Sequence, residues 1–252
     1  MLEETTDVPT GNGTGVAGVM ETFVSAPERP GPYPLVLLLM DAPGIREELR
    51  DMARRLASTG YVVALPNLYH RAGRNTIEFG PDVLTEGSPA HTAMRAIRTK
   101  MTIPPVMDDL TDLIAWADDR ADTDGGAVGV HGYCMSGPYA LAAAAAFPDR
   151  VAAAASFYGT WLVSDAVQSP HRTLGDGTAE LYIGCAEHDD LAPPDMVVEL
   201  RQHFEAAGSP GELEVHRGVH HGFAFPSRWC YDRPAADRHW ERLQALYHRR
   251  LG

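Results

Sequence analysis

Cys134 sits in the stretch HGYCMSG (131–137), between the apolar run GGAVGV and an alanine-rich segment. Gly132 and Ser136 lie two residues to either side of it, and Gly137 follows directly. Small residues at those positions are what a sharp strand-to-helix turn needs if it is to expose a nucleophile at its apex. A helix starting there would aim its N-terminal N–H groups at the sulfur and favour thiolate. The competing use of such a cysteine is as a small buried apolar residue, a role that suits Cys185 and Cys230.

A thiol nucleophile needs a base, and the base needs a group that fixes its tautomer. His221, in VHHGF, and Asp189, in AEHDDLAPP, follow Cys134 in the nucleophile–acid–base order of α/β-hydrolases. Asp190 and Glu187 are rivals for the acid; the prolines that stiffen the exit of DDLAPP favour a positioned group, and Asp189 is preferred. His220 neighbours His221, and only one of the two can face a site; the following Gly-Phe favours His221. A surface pair or a metal pair is the alternative for these histidines, but no other ligand spacing supports a metal.

Those residues require elements to carry them. LVLLLM (35–40) reads as a buried strand, and the segment after DAPG as a helix with Leu49, Met52, Ala53 and Leu56 on one face. Gly60 stops that helix, and YVVALP is the next strand. Helical spacing resumes at 106–117 through Val106, Leu110, Leu113, Ile114 and Ala117. Then follow the strand AVGVHG, the helix MSGPYALAAAAAF, the strand VAAAASFYG and the strand ELYIGCA. The helix DMVVELRQHFEAAG, the strand LEVHRG and a last helix through Trp240, Leu243 and Tyr247 complete the series. Continuously apolar strands alternating with helices predict an α/β domain, a mostly parallel central sheet with helices on both faces. GVAGVMETFVSAP adds one or two antiparallel edge strands, and the stretch 67–105, which lacks a clean period, reads as a lid or binding loop. The expectation is a single domain over 1–252.

In such sheets ligands gather at the carboxyl ends of the strands. Asp41, Cys134, Asp189 and His221 each stand just past a strand-like run, so the topology brings them to one edge.

Composition narrows the function classes. A net charge of −13 argues against a nucleic-acid or anionic-membrane surface. No apolar run approaches the roughly 20 residues a membrane-spanning helix needs. The acidic N-terminus carries no targeting pattern, and the three scattered cysteines suit a reducing, cytoplasmic setting.

GYCMSG, AEHDDLAPP and HHGFAFPSR together resemble the dienelactone hydrolase family, the carboxymethylenebutenolidases, as does the segment MDAPGIREELRDMARRLASTGYVVALPNLY. The likeness runs from about residue 20 to the C-terminus, and the cysteine elbow is its specific part. It implies the α/β-hydrolase fold, a triad of Cys134, Asp189 and His221, and an oxyanion hole from the backbone N–H groups of Met135 and Ala42. Where the family places an accessory glutamate this chain has Asp41, one methylene shorter, which serves equally well as a turn residue before APG. Four residues after the histidine, where the family carries a carboxylate-binding arginine, stands Phe225.

The expected activity is therefore hydrolysis of a small ester or lactone through a thioester, with neither metal nor organic cofactor, by a monomer or homodimer. The loss of the clamp at Phe225 favours a neutral, aromatic ester or lactone over a small anionic one. Tyr133, Tyr158, Trp161 and Phe223 are candidate pocket walls, as easily core packing, and Arg95 and Arg98 are candidate anion contacts. A thioesterase of the same fold and a ligand-binding member without turnover are the alternative readings.

Overall fold

The computed structural model describes residues 1–11, 18–73 and 82–252. The chain forms two compact units, Met1–Gly125 and Gly126–Gly252. The eight strands among the described residues are mostly parallel and alternate with helices, the architecture expected from the apolar pattern.

In the first unit β1 (Leu2–Thr10) pairs antiparallel with β2 (Gly18–Ala26), which pairs antiparallel with β4 (Val62–Pro66). β3 (Tyr33–Leu39) runs parallel to β4. Between β3 and β4 lies α1 (Glu47–Ala57), which buries Leu49, Met52, Ala53 and Leu56, the face its spacing defines. Glu47 and Glu48 open that helix and Arg54 and Arg55 close it, so the charges oppose the helix dipole at both ends. Gly60, at φ +106°, turns the chain into β4.

Two elements of this unit depart from the sequence pattern. The acidic, polar N-terminus is a strand that no apolar pattern announces; nine backbone pairs with β2 hold it, and little of it is buried beyond Val8 and Thr10. The stretch 67–105 contains a helix, α2 (Pro89–Arg98), capped by Ser88, whose Oγ accepts from His91 N at 3.0 Å. Met94 is the one residue α2 buries, and a helix so thinly anchored leaves no apolar period to read. Residues 12–17 and 74–81, parts of the expected edge strands and of the expected lid, lie outside the described residues. α3 (Ile103–Asp118) begins before Val106 because Pro104 and Pro105 occupy its first turn, where no N–H is required.

In the second unit β5 (Thr123–Tyr133), β6 (Val151–Phe157), β7 (Glu180–His188) and β8 (Gly211–His220) are parallel and adjacent in that order. α4 (Gly137–Ala146) follows β5, α5 (Pro194–Ala207) follows β7, and α6 (Arg233–Leu251) ends the chain with Trp240, Leu243 and Tyr247 buried. Gly137 lets the start of α4 approach the chain that follows β6: a Cβ there would stand 2.6 Å from Gly159 Cα. Among the described residues no helix is long and apolar enough to cross a membrane.

Candidate active site

β5 ends at Tyr133, a 3-10 turn covers Cys134–Ser136, and α4 starts at Gly137. Cys134 is buried and left-handed, at φ +55°. An L-residue held there stores about 1–3 kcal/mol, and such strain persists only where the surroundings enforce it. The surroundings are visible. Tyr133 N donates to Ser136 Oγ at 2.9 Å, Ser136 Oγ donates back to Tyr133 O at 3.1 Å, and Thr160 N donates to Cys134 O at 3.1 Å. Gly132 must lack a side chain, because a Cβ there would lie 2.3 Å from Ser136 O. Ser136 is thus more than small: its hydroxyl ties the turn.

His221 follows β8. Its Nδ1 is 2.7 Å from Asp189 Oδ2, and Asp189 Oδ1 accepts from Leu191 N at 2.9 Å and Ala192 N at 3.1 Å. The buried carboxylate is therefore held by its own loop and aimed at the imidazole. Asp190 is exposed, and so is His220, whose ring packs between those of His188 and Trp229. Nε2 of His221 is buried, and Cys134 acts on the ring through its charge and a side-chain hydrogen bond. Burial alone would lower the His221 pKa, but the charge of Cys134 and the bond to Asp189 outweigh it and raise the pKa to about 10. The His221 ring is then held in its protonated form at neutral pH. Asp189 bonds the His221 ring, and Cys134 is near enough to raise its pKa.

The other cysteines are differently placed. Burial pushes the Cys185 thiol up to about 12. Cys230 is also raised by burial, and its Sγ donates to His221 O at 3.0 Å.

Met135 is buried in the 3-10 turn directly after Cys134. Tyr133 is fully buried, with its hydroxyl 2.7 Å from His239 Nε2. Tyr158 is fully buried at φ +39°, its ring T-shaped against His221 at 5.1 Å and against Phe223 at 5.3 Å. Trp161, at φ +53°, is half exposed. Phe225 is buried between Tyr133 and Tyr158, and the Arg228 guanidinium lies 5.0 Å from its ring centroid.

The remaining candidates belong to the first unit. Asp41, fully buried past β3, accepts from Arg46 Nη1 at 2.5 Å and Nη2 at 3.3 Å. Arg46 also donates through Nε to Glu48 at 3.0 Å. Ala42 is buried, and its carbonyl accepts from the Tyr69 hydroxyl at 2.8 Å. Arg95 is exposed in the last turn of α2. Arg46 was not singled out by sequence reasoning, whereas Cys230 is buried, the role its sequence reading gave it. For Arg46 the signal was available, a basic residue five positions after a strand-end aspartate.

The family model for the dienelactone hydrolase family matches residues 20–251. A carboxymethylenebutenolidase of Rhodococcus opacus is 26% identical over 207 residues, covering 80% of this chain and 74% of its own length. A provisionally named carboxymethylenebutenolidase of Methylorubrum extorquens is 28% identical over 231 residues, covering 90% of this chain and 76% of its own. A crystal structure of a provisionally named dienelactone hydrolase from Klebsiella pneumoniae superposes with a TM-score of 0.83 at 26% identity, over 98% of each chain. A dienelactone hydrolase-like promiscuous phosphotriesterase from metagenomic libraries shares the fold, with a TM-score of 0.73 at 19% identity.

Proposed function

Because the chain belongs to the dienelactone hydrolase family of hydrolases, we propose that it cleaves a small-molecule ester or lactone with Cys134 as nucleophile. The thiolate attacks the carbonyl carbon, and the Met135 N–H is the oxyanion donor that this unit contributes. As the C–O bond breaks, protonated His221 gives its proton to the leaving oxygen, and a thioester remains on Cys134. Neutral His221 then takes a proton from water, the hydroxide attacks the thioester, and the acid product leaves as the thiolate is restored. Asp189 holds the imidazole in the tautomer both steps require.

The observation that carries this reading is His221 fixed to Asp189 at 2.7 Å while its pKa is raised by Cys134. Phe225, buried where the family would hold a carboxylate, supports a neutral and planar substrate. The reading places the enzyme in a reducing compartment such as the cytoplasm, where the thiol stays free.

Hydrolysis of p-nitrophenyl acetate by wild type and by Cys134→Ala tests it. Turnover that vanishes in the variant is the expected result; turnover absent from wild type, or equal in both, overturns the reading. Iodoacetamide at neutral pH should label Cys134 before Cys185 or Cys230, and equal labelling of all three removes the activated thiol.

A further inference from the structure

The turn after β6 touches both partners of the proposed proton transfer. Tyr158 N donates to Gly184 O at 2.6 Å, which fixes the start of the turn against β7. The left-handed backbone at Tyr158, φ +39°, then turns its buried ring onto His221, centroids 5.1 Å apart and planes at 63°. Phe223 backs the same ring at 5.3 Å. Two residues on, Thr160 N donates to Cys134 O at 3.1 Å. Between them Gly159 lies against the start of α4, so close that a Cβ on Gly159 would stand 2.4 Å from Ser156 Oγ and 3.3 Å from Gly137 Cα. One rigid three-residue turn meets the nucleophile's carbonyl, the helix behind it and the base's ring.

An imidazole pinned at Nδ1 by one carboxylate can still pivot about that hydrogen bond. A ring packed edge-to-face against it removes the pivot, because T-shaped aromatic contacts are directional. Strained non-glycine backbone of the kind seen at Tyr158 is retained where it places a side chain for function.

We propose that the turn Tyr158–Gly159–Thr160 is a spacer that sets the reach between Cys134 and His221, with Tyr158 as the positioning residue for the base. The inference rests on the triad reading above and adds to it a group that touches no substrate. It acts through His221.

Tyr158→Phe, Tyr158→Leu and Tyr158→Gly would be compared with wild type in kcat, KM, thermal unfolding and the pH dependence of Cys134 alkylation. The phenylalanine variant keeps the ring and should retain kcat within about twofold. Leucine should lower kcat about 10- to 100-fold with KM little changed, the size of effect that a misplaced base produces. It should also move the pH dependence of alkylation, which simple loss of packing would not do. Glycine suits a positive φ, so that variant should fold even where leucine does not, with the same kinetic loss. The proposal is overturned if the folded leucine or glycine variant matches wild type in kcat and alkylation profile, or if phenylalanine loses as much as leucine. Cys134→Ala run alongside separates the two ideas: activity that survives it sinks the triad, whereas activity lost there but unmoved by Tyr158 substitutions sinks only the spacer.

Discussion

Asp189 gives one carboxylate oxygen to His221 Nδ1, at 2.7 Å, and the other to the backbone N–H groups of Leu191 and Ala192. The acid is therefore oriented by its own loop before the histidine reaches it. A side chain held at one oxygen and aimed with the other is suited to fixing a tautomer, because Nδ1 must then carry the proton. Asp189→Asn keeps the shape but offers an amide that can stabilise the opposite tautomer. Its kcat should fall by about two to four orders of magnitude, with KM changed far less, in steady-state ester hydrolysis.

The high His221 pKa has a specific source, and removing that source should show. With Cys134 gone, burial is opposed by Asp189 alone, so the imidazole pKa should drop below about 10. Titration of the His221 ring by 15N NMR in wild type and Cys134→Ala measures this directly. A value that stays near 10 in the variant would mean that the sulfur is not the counter-ion. In wild type, kcat/KM should decline as pH passes about 10, where the leaving group loses its proton donor.

Gly132 is open to a simple steric test. Alanine there would place Cβ 2.3 Å from Ser136 O, a backbone atom that cannot swing aside. Gly132→Ala should destabilise the protein by about 3 kcal/mol in urea unfolding, since the turn must open to admit a methyl group. Alkylation of Cys134 should slow in the same variant.

The buried ion pair in the first unit gives a further prediction. Arg46 is partly exposed but Asp41 is not, so Arg46→Met strands a carboxylate in the interior. The loss should be about 2 kcal/mol after allowance for solvent at the arginine. Adding Asp41→Asn to Arg46→Met should recover part of it. A double-mutant cycle that shows strict additivity would contradict this pairing.

His131 predicts acid sensitivity that does not depend on His221 or Asp189. It is fully buried against Tyr247, whose hydroxyl is 2.8 Å from Nδ1, and burial lowers its pKa to about 3. A histidine with a folded pKa below its unfolded value of about 6.5 binds fewer protons in the native state. Its contribution is complete above about pH 6.5 and erodes as pH falls toward 3. Between pH 7 and pH 5 this single residue should cost about 2 kcal/mol of stability. His131→Gln should flatten that part of the curve in chemical unfolding.

The sequence pattern carried the fold furthest where burial is periodic. The α1 face and the apolar runs of β3 to β7 need no tertiary knowledge, because each hides one or both faces in its own register. β1 and α2 escaped because neither hides much; β1 is held by backbone bonds to β2, and α2 by Met94. Within the candidate site, strand order explains why Cys134, Asp189 and His221 share an edge. It does not explain the grip on Asp41, which depends on Arg46 folding back across five residues, nor the contact of Tyr158 with His221, which depends on a left-handed backbone. Such conformations are set by neighbours far along the chain, and no local residue preference announces them.

The left-handed conformation of Cys134 also limits how this site can diverge. At φ +55° an unbranched side chain is strained but tolerable, whereas a β-branched one clashes with its own backbone. Serine can take the position with an oxygen in place of sulfur. Threonine, which offers the same hydroxyl as serine, is barred by shape. Cysteine and serine are also a single base change apart, so drift at this codon can exchange a thiol for a hydroxyl without rebuilding the turn. The backbone, more than any chemistry, decides which side chains this position offers to descendants of this chain.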